Sequence, residues 1–288
     1  MAELNHWLTT ESSVLYLLVT LLGLLVGSFL NVVIHRLPLM LQRDWQRECA
    51  ELNGQTPAEA PPFNLCTPRS RCPHCRHQLG ALDNIPVLSW LWLRGQCRYC
   101  QASVARRYPL VELASAALAA LALWRFGASP QLLAALLFSW TLLCMTLIDI
   151  DHLLLPDDLT LPLLWLGLLL NINGLFVSLQ SAVLGAAFGY GILWSLYWLF
   201  KLATGKEGMG YGDFKLLAAI GAWFGWQALL PVLLLASFTG AALGIGLMAS
   251  RKLGEDRVLP FGPALALAGW LYLIWGKQLT GFYWSMAL

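Results

Sequence analysis

The chain has 288 residues, of which 58% are hydrophobic and only 12% charged, with a mean hydropathy of +0.63. Soluble domains carry roughly 25% charged residues, so the composition excludes a soluble globular protein and defines an all-α polytopic membrane protein. The formal net charge of +2 conceals an asymmetry: between His35 and Arg107 lie ten arginines against five acids, Asp44, Glu48, Glu51, Glu59 and Asp83. No nucleic-acid partner is expected. Fourteen tryptophans suit the aromatic belts of a bilayer.

Val14 to Ile34 approaches the ~20 apolar residues a span requires. The N-terminus has neither a basic region nor a small-residue cleavage site before the first loop, so this run reads as a retained span. Its Gly23, Gly27 and Ser28 suit close helix packing, and it is expected to end at Asn31 and His35-Arg36-Leu37-Pro38. The polar stretch from Arg36 to Arg107 follows, with a Pro-rich first part ending near Pro62 and a cysteine-bearing part from Cys66. Next come candidate spans Leu110 to Trp124 and Leu132 to Ile148, then an acidic loop from Asp149 to Asp158. Leu159 to Leu170, with an extension toward Phe176, and Ala182 to Leu202 precede the Gly205 to Lys215 loop. Leu216 to Leu230 and Pro231 to Ser250 are separated by little more than Pro231; a charged loop, Arg251 to Arg257, leads to a last span, Phe261 to Trp275.

This predicts about eight transmembrane helices and three regions: 1–35, the first span; 36–107, a small cytosolic domain; 108–288, the rest of the bundle. Positive residues stay cytosolic, and alternation from the arginine-rich domain puts the loops of Asp149, Asp213 and Arg251 on that same side. Only Arg125 and Lys277 of the 18 Lys and Arg then fall outside.

Cys72-Pro-His-Cys75 and Cys97-Arg-Tyr-Cys100 are two CxxC pairs separated by 21 residues. Four thiolates so spaced can enclose one tetrahedral Zn²⁺. Two disulfides are the alternative, which a reducing cytosol disfavours. His74 and His77 are possible substitute ligands, and Cys49, Cys66 and Cys144 lack partners at metal spacing. A closed Cys₄ site has no open coordination position, so it shapes a domain and does not activate water.

Two carboxylate motifs remain. Gly208-Met-Gly-Tyr-Gly-Asp213-Phe-Lys215 puts a charge at the edge of the membrane, an expensive position that marks function. Its alternate glycines let another backbone approach. The second motif runs from Asp149 to Asp158. Asp149, first after the apolar run, is the favoured partner, with Asp151, Asp157 and Asp158 as rivals. Two adjacent carboxyls, one protonated and one ionised, perform aspartic proteolysis. The bland alternative is helix capping, or pairing with Lys206 or Lys215.

The chain resembles the bacterial type IV prepilin leader peptidase/N-methyltransferases, membrane aspartic proteases of the GxGD type. The resemblance rests on Gly27 through Pro38, both CxxC pairs, Asn84 through Trp90, Arg106 through Glu112, Asp149 through Asp157, and Gly210 through Lys215. It implies a multi-pass protein of the bacterial inner membrane, with its active site on the cytosolic side. Its implied substrates are type IV prepilins and type II secretion pseudopilins, whose basic leaders it would cut after Gly, with Asp149 and Asp213 as the catalytic pair. It also implies S-adenosylmethionine-dependent N-methylation of the new N-terminus. That activity rests on the resemblance alone, because the sequence marks no residue for the methyl donor. His35, Arg36, Asn84 and Glu112 are candidates to line a substrate path or to anchor the interface. The rival functions are a proton-coupled transporter using the same aspartates, and a zinc-anchored scaffold without catalysis.

Overall fold

In the computed structural model the described residues are 2–55, 61–206, 208–249 and 260–287. They form nine α-helices with two isolated β-bridges. Five helical segments are long and apolar enough to cross a membrane: Ser13–Leu52, Arg107–Phe126, Pro130–His152, Leu179–Thr204 and Trp226–Gly246. Residues 1–127 and 128–288 are two compact units.

In the first unit, α1 (Ala2–Leu52) packs along α3 (Arg107–Phe126), with the short helix α2 (Leu88–Trp92) between them in sequence. The small residues of α1 act as expected. Any side chain at Gly23 or Gly27 would press on the α3 backbone at Ala116 or Glu112, and Ser115 Oγ donates to the Gly23 carbonyl at 2.6 Å. Contrary to expectation, α1 does not stop at Pro38 but runs on to Leu52. Proline removes one helical N–H, yet the residues that follow are mostly straight-chain helix formers such as Leu, Met, Gln, Arg and Glu. The helix ends only at Gly54, where φ is +69°.

The second unit is built around α7 (Tyr211–Phe224), whose residues from Leu216 to Phe224 are all buried. It is surrounded by α5 (Asp157–Asn171), α6 (Leu179–Thr204) and α9 (Gly262–Ala287), while α4 (Pro130–His152) and α8 (Leu229–Ala249) pack on α9. Gly185 of α6 and Gly221 of α7 meet backbone to backbone, leaving no room for a Cβ on either. The break expected at Pro231 lies earlier, at Gly225 with φ +80° and a 3₁₀ turn at Trp226–Ala228. Pro231 instead falls in the first turn of α8, where its missing N–H is not needed.

Asn171 closes the far end of α5. Its Nδ2 donates to the carbonyls of Ala222 (2.9 Å) and Trp223 (3.0 Å), and its Oδ1 accepts from Phe176 N–H (3.0 Å) and Val177 N–H (3.1 Å). All four functions of a fully buried amide are thus used. Removing it strands two donors and two acceptors, so Asn171→Ala is expected to destabilise the second unit by about 2–4 kcal/mol. A clearly lowered Tm in detergent checks this.

Candidate active site and metal centre

α4 carries Asp149 in its last turn and ends when Leu153 adopts left-handed geometry (φ 53°, ψ 40°), its N–H returning to the Asp149 carbonyl at 2.9 Å. The chain then turns through Pro156 into α5. Asp149 is only 6% exposed, and its carboxylate accepts the backbone N–H of Gly262, the first residue of α9. Asp213, 7% exposed, sits in the first turn of α7, where its carboxylate accepts the N–H of Gly210. Each carboxylate is therefore held at a helix N-terminus, where the unpaired N–H groups and the helix dipole favour negative charge. The two lie within Coulombic range of one another.

Leu155 ties this arrangement together. Its side chain sits against Gly212 of α7 and against Gly262 of α9, so one buried residue touches both helix starts. Gly262 also abuts Asp149 Oδ2 so closely that a methyl group there would overlap the carboxylate. Sequence reasoning passed over Leu155 and Gly262; the only local signal was a glycine framed as Pro260-Phe-Gly-Pro263 at the mouth of the last span.

The rival carboxylates are placed differently. Asp157 is exposed and pairs with Lys215, whose Nζ lies 2.6 Å from Oδ1 and 2.7 Å from Oδ2. Asp151 and Asp158 are also exposed.

In the first unit the sulfur atoms of Cys72, Cys75, Cys97 and Cys100 all lie within 4.8 Å of one another. Two near-identical loops put them there. In one, Arg76 N–H bonds the Cys72 carbonyl and Cys72 N–H bonds that of His77; in the other, Gln101 and Ala102 stand in the same relation to Cys97. Arg76 and Gln101 share a positive φ, 58° and 59°. A tetrahedron of ~2.3 Å Zn–S bonds has edges of about 3.8 Å, and Cys72 and Cys100 stand 3.7 Å apart, so the thiols fit a metal ion. Backbone N–H groups of Cys75 and His74 lower the Cys72 thiol to about 6. At Cys100 the Ala102 N–H pulls the same way, but desolvation and the three neighbouring thiols outweigh it and raise that group to about 11. Cys72 is thus poised as thiolate, while Cys100 resists ionisation without a cation.

His77 stacks on Tyr99 with centroids 3.5 Å apart. Cys49 and Cys66 are exposed free thiols and Cys144 a buried one. Arg36 and Glu112 serve internal contacts. The Arg36 guanidinium donates to the carbonyls of Asn64, Leu65 and Pro68, and Glu112 Oε2 accepts the Val87 N–H at 2.7 Å.

A helical membrane protein with two buried aspartates and a four-cysteine cluster that fits a metal ion is a narrow class, and the sequence comparisons narrow it further. The family model for the bacterial peptidase A24 N-terminal domain matches residues 21–126, and that for the type IV leader peptidase family matches residues 136–245. Curated relatives named prepilin leader peptidase/N-methyltransferase include proteins of Aeromonas hydrophila and Stutzerimonas stutzeri, each 59% identical with 92% of both chains covered. That of Pseudomonas aeruginosa is 53% identical over 99% of this chain and 98% of its own. No solved structure matches. The chain belongs to the type IV prepilin leader peptidase/N-methyltransferase family, and it is an enzyme.

If the four thiols bind metal, Cys72→Ser and Cys97→Ser will each lower bound transition metal from about one ion per chain to near zero. Cys49→Ser, remote from the cluster in spacing, will leave it unchanged. Atomic emission on the purified proteins reads the difference.

Proposed function

We propose that this enzyme removes the basic leader of type IV prepilins and type II secretion pseudopilins by aspartic proteolysis, cutting after Gly on the cytosolic side of the bacterial inner membrane. The observation that carries the reading is the pairing of Asp149 and Asp213, both buried, both seated on helix N-termini, and within Coulombic range. In this reading eight helices, α1 and α3 through α9, make the membrane bundle, residues 36–107 form the cytosolic domain, and residues 1–35 and 108–288 lie in or beside the bilayer.

In the working pair one carboxyl is protonated and the other ionised, as two adjacent carboxyls require. The ionised one takes a proton from water while the hydroxide so formed adds to the scissile carbonyl carbon. The protonated one hydrogen-bonds the carbonyl oxygen and transfers its proton as the tetrahedral centre forms. Collapse breaks the C–N bond: the departing amine takes the proton gained from water, and a hydroxyl of the tetrahedral centre returns its proton to the other carboxylate, which restores the singly protonated pair. Gly210 and Gly262 N–H groups hold the two carboxylates in place throughout, so little reorganisation accompanies the chemistry. Of the glycines before Asp213, Gly210 leaves open space beside the carboxylate, whereas Phe200 and Leu155 fill the room at Gly208 and Gly212, so an extended peptide would lie on the Gly210 side.

Cys72, Cys75, Cys97 and Cys100 would hold a structural Zn²⁺, which supplies a cross-link between the two cysteine loops. The methyl group for the second activity would come from S-adenosylmethionine, which transfers it to the newly freed amine. Among the described residues there is no strand followed by a glycine-rich loop and helix to cradle such a donor, and no residue is assigned to it.

Asp149→Asn and Asp213→Asn are each expected to slow cleavage of a purified prepilin in detergent by on the order of 10³-fold or more, with metal content and Tm unchanged. Near-normal processing by either folded variant would sink the dyad. Gly262→Ala tests the positioning contact separately: displacing the Asp149 carboxylate should lower kcat on the order of 10²-fold while KM stays close to that of the wild type.

A further inference from the structure

Within the cysteine-bearing domain, α2 turns a set of large apolar side chains outward. Leu88, Leu91 and Trp92 stand at i, i+3 and i+4, on one face of a helix, and are 64%, 58% and 82% exposed. Leu82 and Ile85, just before it, are exposed as well. The helix is not simply loose. Trp90 points the other way, with Nε1 donating to the Val104 carbonyl at 3.1 Å and its ring lying over Gly95. The outward face is therefore fixed in a rigid frame, and a contiguous apolar patch of this kind marks an interaction surface.

Two observations identify what covers it. The first is depth. Glu112 lies five residues into α3, about 7.5 Å along the axis from Arg107 at 1.5 Å per residue, and its side chain leans back toward the helix start. Its bond to Val87 N–H therefore holds the residue preceding α2 alongside the first turn and a half of a membrane helix. Amphipathic elements that lie in a bilayer interface bury their apolar face ~5–10 Å into the headgroup and acyl boundary, which is the same level. The second is charge. Arg94 follows Trp92 by two residues, and Arg106 and Arg107 stand at the start of α3; all three are exposed. Cations flanking Trp and Leu at this level complement anionic headgroups.

We propose that α2 is an interfacial membrane element, with Leu88, Leu91 and Trp92 inserted into the headgroup–acyl boundary of the bilayer that α1 and α3 cross. The proposal rests on reading α1 and α3 as spans. It makes the cytosolic domain doubly anchored, through the ends of α1 and α3 and through its own apolar face. The bilayer then fixes the height of the cysteine loops, since Cys97 follows Trp92 by only five residues.

The test is photocrosslinking of the full chain in vesicles of phosphatidylethanolamine and phosphatidylglycerol. p-Benzoylphenylalanine replaces Trp92, or separately Leu91 in case one substitution disturbs the fold. Leu113, exposed on α3, reports the span itself, and Trp45, far along the α1 extension, reports the aqueous side. Lipid adducts at positions 92 and 91, within about threefold of those at 113 and at least tenfold above those at 45, are the expected result. Lipid adducts at 113 with none at 92 and 91 overturn the proposal while leaving the span intact. Absence of lipid adducts at 113 as well overturns both. Adducts at 92 that go instead to added prepilin, or to a second copy of the chain, show that the face serves a protein.

Discussion

Two buried carboxylates are a constraint that the rest of the second unit satisfies. Each would be costly in an apolar surrounding without hydrogen-bond donors. The fold supplies them by bringing two helix starts to the same place: α7 carries Asp213 in its first turn, and α9 begins against Asp149. Helix N-termini hold N–H groups that have no partner within their own helix, so the carboxylates and the helix ends answer each other's need. At Gly262 the Asp149 carboxylate lies where a Cβ would stand, so that position admits only glycine.

α7 is also short for a helix of a membrane bundle. At fourteen residues and 1.5 Å each it extends about 21 Å, less than a ~30 Å hydrocarbon core. A helix ending inside that depth exposes unpaired backbone, which is tolerated only when protein covers it. The structure provides the cover. Gly185 and Gly221 let α6 and α7 approach backbone to backbone, Trp223 Nε1 donates to the Leu163 carbonyl of α5 at 2.8 Å, and Asn171 takes up the carbonyls of Ala222 and Trp223 at the far end. The aspartate end of α7 is set by the glycines before it, and the opposite end is capped by a side chain from another helix.

The four-cysteine cluster and the two buried aspartates were legible in the sequence because each motif is local. Two CxxC pairs announce their geometry by spacing, and Asp149 and Asp213 announce themselves as charges at the ends of apolar runs. What surrounds them was not legible. Gly262 and Leu155 are tied to Asp149 and Gly212 by proximity in space, and no period or spacing relates residues so far apart in sequence. Helix boundaries failed where a local rule was outweighed. Pro38 reads as a stop but stands before a run of helix formers, and Pro231 reads as a break but occupies a first turn, while the break belongs to Gly225. His35, Arg36, Asn84 and Glu112 drew notice as polar residues at an interface. For Arg36 and Glu112 the structure gives the cause: both charges are spent inside the first unit on backbone groups of its loops.

That use of Arg36 and Glu112 bears on how a small domain with little core of its own keeps its shape. Between Phe63 and Arg107 the described regular structure amounts to one short helix, one 3₁₀ turn and two isolated bridges, too little to bury much apolar surface. Its order comes from three fixed points. Four thiols gather the two cysteine loops. Arg36, buried in α1 and also facing the Phe63 ring at 5.7 Å, gathers the carbonyls of Asn64, Leu65 and Pro68. Glu112, buried in α3, accepts from Val87 N–H and holds that residue at positive φ (58°, ψ −48°), which a β-branched residue adopts only under constraint. Two of these points are charged side chains projecting from the helices that pack together in this unit. The domain is therefore not an independent body joined by linkers; its loop conformations are dictated by α1 and α3. A change in the register of those two helices would be transmitted directly to the residues flanking the cysteine cluster.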